Sequence, residues 1–437
     1  MEKFLRMFLF LAVSFGSRGL VETAFSQQHV ERWINHEISN LMHDYQWLHQ
    51  NPELSFQETE TARFLADALR QSGFHVVDEI GGHGVVGLLQ NGDGPKLMLR
   101  CDLDALPVTE QTQLPYASTR RTVTDSGAET GVMHACGHDL HISTVIGSFR
   151  YLAAHRDRWK GTLMVIGQPA EERGQGAKKM LEDGLFERFG KPNFAVALHC
   201  SSDKQAGKVG LRSGYAMANV DSVDISVKGR GGHGSQPQNT IDPVVQAAHL
   251  VVSLQAIVSR EINPLDPAVI TVGSIHGGTK HNIIGDQCDL QITVRSYSDE
   301  VRRTLLDSIR RKAFAVANDF NAPEPSVIVS EGTPSLKNDP QLSERLRAVF
   351  GEAIGDANVS EDDPWMAGED FSRYGRAGVP AVMYWLGTVS EQRLKRFEEL
   401  GVSPPTLHSG LYYPDAEPAL RTGIKTMVAA ATNLLKP

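Results

Sequence analysis

The sequence predicts an α/β protein: a layered α/β domain on a mostly parallel central sheet, interrupted by a smaller α+β domain of order β-α-β-β-α-β. Three observations predict it. Helical and strand-like apolar spacings alternate up to about residue 215, the rhythm changes over 216–330, and alternating material returns in 331–437. In the first stretch, Val30, Trp33, Ile34, Ile38 and Leu41 are spaced for a helix reaching about residue 50. A second helix covers Glu60–Gln71, with Gly73 as its stop. Strand-like runs follow at Gly84–Leu89 and Lys96–Cys101, then a helix from about Gly137 to Ala154. A strand at Leu163–Ile166, a helix around Ala177–Leu181 and a strand at Phe194–Leu198 complete this part.

The interrupting domain reads as strand Val220–Val227, helix Asp242–Ser259, strands Val269–Ile275 and Cys288–Val294, helix Glu300–Asp319 and strand Ser326–Val329. The first domain then resumes with helix Gln341–Ile354, strand Ala381–Trp385 and helix Pro418–Leu435. The expected organisation is therefore a leader (1–26), a first domain in two pieces (27–215 and 331–437) and an insertion (216–330).

Composition narrows the function classes. With 437 residues, 41% of them hydrophobic and 22% charged, the chain has ample material for a core, which excludes disorder as the overall state. A net charge of −9 with no basic run argues against nucleic acid as a partner. Four cysteines are too few for a disulfide-stapled scaffold. The N-terminus places Lys3 and Arg6 before the apolar run Met7–Phe15 and ends in the small-residue site Ala24-Phe25-Ser26, the pattern of a signal peptide. The run is too short to span a bilayer, so export to the periplasm, the extracellular space or the secretory lumen is expected, without stable membrane insertion once the leader is removed.

Five separated segments carry chemistry, and the first four follow an expected strand or open a helix. Asp102 and Asp104 stand two apart at a strand end and would share a face if the strand continued. His134, Cys136, His138 and Asp139 crowd into six residues, and imidazole with thiolate is a donor set that borderline-soft divalent metals favour. Zinc-finger spacing is absent, and so is the Pro-Cys-x-x-Cys run of zinc deaminases. Glu171 and Glu172 are adjacent carboxylates that would repel unless one binds a cation or a proton. A metal hydrolase needs such a pair, one as ligand and one to accept a proton from water. His199 follows a strand run directly, and His408 lies in Leu407-His-Ser409 near the C-terminus.

These segments, together with Gly231-Gly-His233-Gly and Gly368-Glu-Asp-Phe371, resemble the family of metal-dependent amidohydrolases and peptidases that includes aminoacylases, hippurate hydrolases and auxin-conjugate hydrolases. The resemblance covers the chain after about residue 30. It implies a catalytic α/β domain carrying a lid or dimerisation domain. It further implies two divalent metal ions per subunit, zinc or manganese with cobalt or nickel as alternatives, held by Cys136, His138, Glu172, His199 and His408. By the same resemblance Glu171 is the general base, Asp104 supports the metal site, and His233 reaches a neighbouring active site in a homodimer to steady the oxyanion. Asn282 and Arg295 match positions that engage a substrate carboxylate. The implied reaction is hydrolysis of N-acyl or N-aroyl amino acids, with a carboxypeptidase or dipeptidase as the alternative. A binding protein without catalysis is disfavoured by the presence of both Glu171 and Glu172.

The chain departs from that pattern in places. Asp102 stands where more distant relatives have a histidine ligand, Lys280 and His281 precede Asn282, Gly285 replaces a common proline, and a polar stretch occupies about 120–130. A Cys101–Cys200 bridge is left open, since both cysteines neighbour site residues in the sequence.

Overall fold

The structure, a computed structural model, describes residues 28–124 and 127–436; the signal-peptide reading of 1–26 lies outside them. The chain divides into two compact units. One comprises residues up to Ser213, Asn338–Asp362 and Tyr374 onward; the other comprises Gly214–Lys337 and Asp363–Arg373.

The first unit is built on an eight-stranded sheet. Its spatial order is His75–Ile80, Gly84–Asn91, Gly161–Gln168, Lys96–Asp102, Phe194–Gln205, Ala381–Val389, Val209–Leu211 and Val359–Glu361. The four central strands run parallel, with Cys101 beside Gly167, Leu99 beside Val196 and Trp385 beside His199. Antiparallel pairing adds the flanking strands Gly84–Asn91 and His75–Ile80. The central strands are buried along almost their whole length, which is why they read as continuous apolar runs rather than alternating ones. His75–Ile80 is an edge strand in which only Ile80 is buried, so it left no apolar pattern to read. Helix Glu391–Leu400 has no buried residue and was silent for the same reason.

Helices 28–50, Thr59–Gln71, His138–Ala154 and Ala416–Leu434 supply the rest of one continuous core, in which Leu65, Val145, Phe149, Val165, Leu386 and Ile424 are fully buried. His138–Ala154 is buried on nearly every side. It packs so closely on Ala416–Leu434 that a Cβ at Gly147 would lie 2.5 Å from Ile424 Cδ1. The polar stretch at 120–130 contributes a two-stranded ribbon, Arg121–Val123 against Glu129–Gly131.

The second unit holds a four-stranded antiparallel sheet ordered Ala268–Gly277, Gln287–Ser296, Asn219–Lys228 and Ser326–Glu331. Asn219–Lys228 alternates between buried and exposed residues, and Val223, Ile225 and Val227 face a core shared with helices Pro243–Glu261 and Asp299–Asp319. Both helices are capped from the sequence: the Asp242 carboxylate accepts from the Val244 and Val245 N–H groups, and Ser298 accepts from Val301 N–H. Asp221 is buried against the Arg302 guanidinium in a two-point contact of 2.6 and 2.8 Å.

Candidate active site and metal centre

In the parallel sheet of the first unit, strand register brings distant segments to one edge. Asp102 pairs with Gln168, and the Leu103 N–H donates to Gln168 O, so the Asp102–Asp104 and Pro169–Glu172 turns leave the sheet side by side. His199 lies beyond them on the neighbouring strand Phe194–Gln205. This is the carboxyl end of the strands, where α/β sheets assemble their chemistry. The remaining donors come from the turn before helix His138–Ala154. Gly137 takes φ 81° there, and a Cβ on it would sit 2.7 Å from Cys200 Sγ, so only glycine fits.

His138 and His199 are each anchored through Nδ1. His138 Nδ1 donates to the Asp104 carbonyl at 2.7 Å, and His199 Nδ1 donates to the Cys200 carbonyl at 2.8 Å. His199 Nε2 then lies 3.5 Å from Cys136 Sγ, His138 Nε2 lies 3.8 Å from Glu172 Oε1, and His408 Nε2 lies 3.5 Å from the same oxygen. His408 adopts φ 68°, a left-handed conformation uncommon for a non-glycine residue. Overlapping donor sets result, among them Cys136 with His138 and His199, Cys136 with Glu172 and His408, and His138 with Glu171 and Glu172.

Two features fit these donors to cations. Among the described residues, buried His138 Nε2 and Glu172 Oε1 have no hydrogen-bond partner. The pocket is also over-supplied with negative charge. Burial, then the charges of Glu172 and Glu171, push the Cys136 thiol up, and burial raises the Glu172 carboxyl to about 7 against the pull of His138. Bound dications would discharge both conflicts, and the sulfur, nitrogen and oxygen set suits borderline metals.

Asp104 shapes this centre without pointing a free oxygen into it. Its carboxylate accepts from Ser55 Oγ at 2.6 Å, from Glu171 N–H at 3.1 Å and from Glu172 N–H at 3.0 Å, which sets the direction of both glutamates. Asp102 is occupied differently. It receives the buried Arg100 guanidinium at 2.7 Å and His141 Nδ1 at 2.6 Å, and stands 3.7 Å from His138 Nε2. The Arg100 charge and the hydrogen bond from His141 hold its carboxyl well below the usual range despite burial. His141 Nε2 in turn accepts the Cys200 N–H at 2.9 Å, so the ring is neutral, and burial lowers it to about 4. The chain Arg100–Asp102–His141 thus grips the peptide next to His199.

The other members of the histidine-cysteine cluster part company with the donors. Asp139 binds His49 Nδ1 at 2.6 Å, while His49 Nε2 meets Glu110 at 3.1 Å. Neither nitrogen of buried His134 has a hydrogen-bond partner among the described residues. All four cysteines are free and buried: Cys101 Sγ donates to the Ile166 carbonyl and Cys200 Sγ to that of Gly137, so the Cys101–Cys200 bridge does not form. His49, Glu58, Arg100 and His141 were missed by sequence reasoning. The spacing of His138 and His141, three apart on one helix, was the available signal for one of them.

The second unit carries the other expected positions. His233 lies on the short strand Gly232–His233, paired with Ile283–Ile284, and Gly234 N–H donates to the Asn282 carbonyl. His233 Nδ1 accepts the Ser235 N–H at 3.1 Å, which leaves the exposed ring with its proton on Nε2. Arg295 is half-buried on strand Gln287–Ser296, its Nε donating to Thr293 Oγ1. Lys280 and His281 are exposed in the loop before Asn282.

Residues 98–400 match the profile of peptidase family M20/M25/M40. The chain belongs to this family. Among M20 relatives, it is 37% identical over 345 residues to the N-acetyl-L-cysteine deacetylase of Bacillus subtilis, covering 78% of each chain. It is 39% identical over 330 residues to the hippurate hydrolase of Campylobacter jejuni, covering 74% of this chain and 82% of that one. The crystal structure of the Bacillus subtilis YXEP protein, a dinuclear metal-binding peptidase of the M20 family, superposes with a TM-score of 0.73 at 30% identity, covering 91% of this chain and 98% of that one. This M20 chain is a metal-dependent hydrolase of amide or peptide bonds, and its donor set serves two divalent ions.

Proposed function

We propose that the protein hydrolyses the amide bond of N-acyl or N-aroyl amino acids, releasing a free amino acid and a carboxylic acid. The observation that carries this reading is the placement of Glu171, whose backbone is pinned by Asp104 beside the donors Cys136, His138, Glu172, His199 and His408. The similarity to a hippurate hydrolase and to an N-acetyl-L-cysteine deacetylase supports the substrate class. Cys136, His138, Glu172, His199 and His408 would hold the two ions, which supply Lewis-acid polarisation of the carbonyl and acidify water. Zinc and manganese are the metals we favour, since thiolate and imidazole suit the first and carboxylates tolerate the second.

Glu171 accepts the proton of the attacking water and passes it to the leaving nitrogen as the C–N bond breaks. His233, whose Nδ1 is taken by Ser235, donates from Nε2 to the oxyanion in the active site of a partner copy, which makes the working enzyme a homodimer. Asn282 and Arg295 engage the substrate carboxylate, an amide and a guanidinium being apt partners for it. The leader at 1–26 directs export.

The test compares N-acetyl and N-benzoyl amino acids with dipeptides, using protein purified without chelator and analysed for bound metal. Turnover of the N-acyl substrates is expected, and Glu171→Gln should lower kcat by about 10²–10⁴-fold with the metal retained. Turnover of dipeptides alone would support the carboxypeptidase or dipeptidase alternative. An active Glu171→Gln variant would refute the assigned base.

A further inference from the structure

Three successive peptide N–H groups, those of Ala170, Glu171 and Glu172, each donate to a buried carboxylate. Asp104 takes the second and third, and Glu58, 112 residues away in sequence, takes the first at 2.8 Å. Ala170 adopts φ 49°, in the left-handed region, just before the glutamate pair. A residue with a Cβ reaches that region at a population cost of about 5- to 30-fold. The same Glu58 oxygen, Oε1, also accepts the N–H of Phe56 at 2.9 Å, and Phe56 is itself left-handed at φ 66°. One oxygen therefore staples two strained, non-glycine residues.

The position of Glu58 makes the arrangement more telling. Glu58 stands at the N-cap of helix Thr59–Gln71, yet its side chain makes no capping bond. Glu53 serves that helix instead, accepting the N–H groups of Glu60 and Thr61 at 3.1 and 2.8 Å. Glu58 is fully buried, and its second oxygen, Oε2, has no hydrogen-bond partner among the described residues. A buried carboxyl released from its own helix end and spent on a strained turn is costly unless that turn has to be held.

We propose that Glu58 is a positioning residue for the amide-cleaving reaction, holding Ala170 in its left-handed conformation so that Glu171 is aimed at the attacking water and Glu172 at the metal centre. This rests on the function proposed above. Both peptide groups that Glu58 holds use one acceptor oxygen, Oε1. Burial, and then the charge of Asp104, raise its carboxyl to about 7, so the neutral amide of glutamine is a close substitute.

Four variants test this in the full-length, metal-loaded protein: Glu58→Gln, Glu58→Asp, Ala170→Gly, and Glu58→Asp with Ala170→Gly. Glu58→Gln keeps the acceptor and should remain within about threefold of wild-type kcat. Glu58→Asp is one methylene too short to reach Ala170, and should lose about 10- to 100-fold in kcat with KM within about twofold. Ala170→Gly removes the Cβ penalty, should be close to wild type alone, and should restore at least about fivefold to Glu58→Asp. Hydrogen–deuterium exchange of the peptide covering 168–176 should quicken about tenfold or more in Glu58→Asp and slow again in the double variant. A merely structural role for Glu58 predicts no rescue from Ala170→Gly. Wild-type kinetics in Glu58→Asp, or absence of that rescue, overturns the proposal. If Glu58→Asp does not fold, a folded but inactive Glu58→Gln overturns it equally. The parallel wild-type and Glu171→Gln assays report on the reaction itself: an inactive wild type with intact exchange behaviour counts against the proposed function, not against the staple.

Discussion

His49 is a buried imidazole with a carboxylate at each ring nitrogen, and replacing it gives a quantitative test of how the metal-binding turn is anchored. Asp139 meets Nδ1 at 2.6 Å and Glu110 meets Nε2 at 3.1 Å. Burial by itself would lower the pKa of this ring, but the hydrogen bonds to Asp139 and Glu110 outweigh it and raise the value from 6.5 to about 9. With both nitrogens donating, the ring is an imidazolium. A rise of that size corresponds to ~3 kcal/mol of folding stability. The pH window follows from the direction. Below about 6.5 the proton is bound in both folded and unfolded chains, and the contribution is complete. Between about 6.5 and 9 only the folded chain holds it, so stability falls by about 1.4 kcal/mol per pH unit. Above about 9 the contribution is gone.

The measurement is urea unfolding of wild type and His49→Gln at pH 6 and pH 9.5, followed by the fluorescence of the tryptophans in the α/β unit, among them Trp33, Trp47 and Trp159. The wild-type advantage over His49→Gln should be ~3 kcal/mol larger at pH 6 than at pH 9.5. An advantage that is flat across the range, or that grows toward alkaline pH, would refute the imidazolium. In that case the ring is neutral and a carboxylic acid supplies the missing proton.

Two further outcomes are expected. Asp102→Asn weakens the carboxylate that bridges Arg100 and His141, so it should destabilise the α/β unit by about 3–5 kcal/mol and loosen metal binding about 10- to 100-fold in chelator competition, because His141 orients the peptide beside His199; unchanged metal affinity would show that this network does not reach the centre. If His233 acts across a homodimer, His233→Ala and Glu171→Gln proteins, each inactive, should regain about a quarter of wild-type activity when mixed as subunits, whereas no recovery in proven heterodimers would place His233 in its own subunit's site.

Much of the donor chemistry was local and therefore legible. Cys136 and His138 sit in one short turn, Glu171 and Glu172 are adjacent, and His199 closes an apolar run; each announces itself by residue type and spacing. The fold class was legible for a similar reason, since helical and strand periodicities record which faces are buried. Elements with little or no buried surface, His75–Ile80 and Glu391–Leu400, left no such record.

What the sequence alone determined was thus the α/β order with its inserted α+β domain and an inventory of sulfur, nitrogen and oxygen donors at strand ends. Only the tertiary structure decided who serves whom. Asp102 and Asp104 share one strand end and one residue type, yet one pairs with Arg100 and His141 while the other carries the peptide groups of Glu171 and Glu172. Glu58 and His49 gave no sign of their partners, Ala170 and Asp139, which lie 112 and 90 residues away. The physical reason is that local spacing fixes the direction of a side chain only relative to its own helix or strand. A hydrogen bond across such a distance depends on strand register and helix packing, which the whole core sets together.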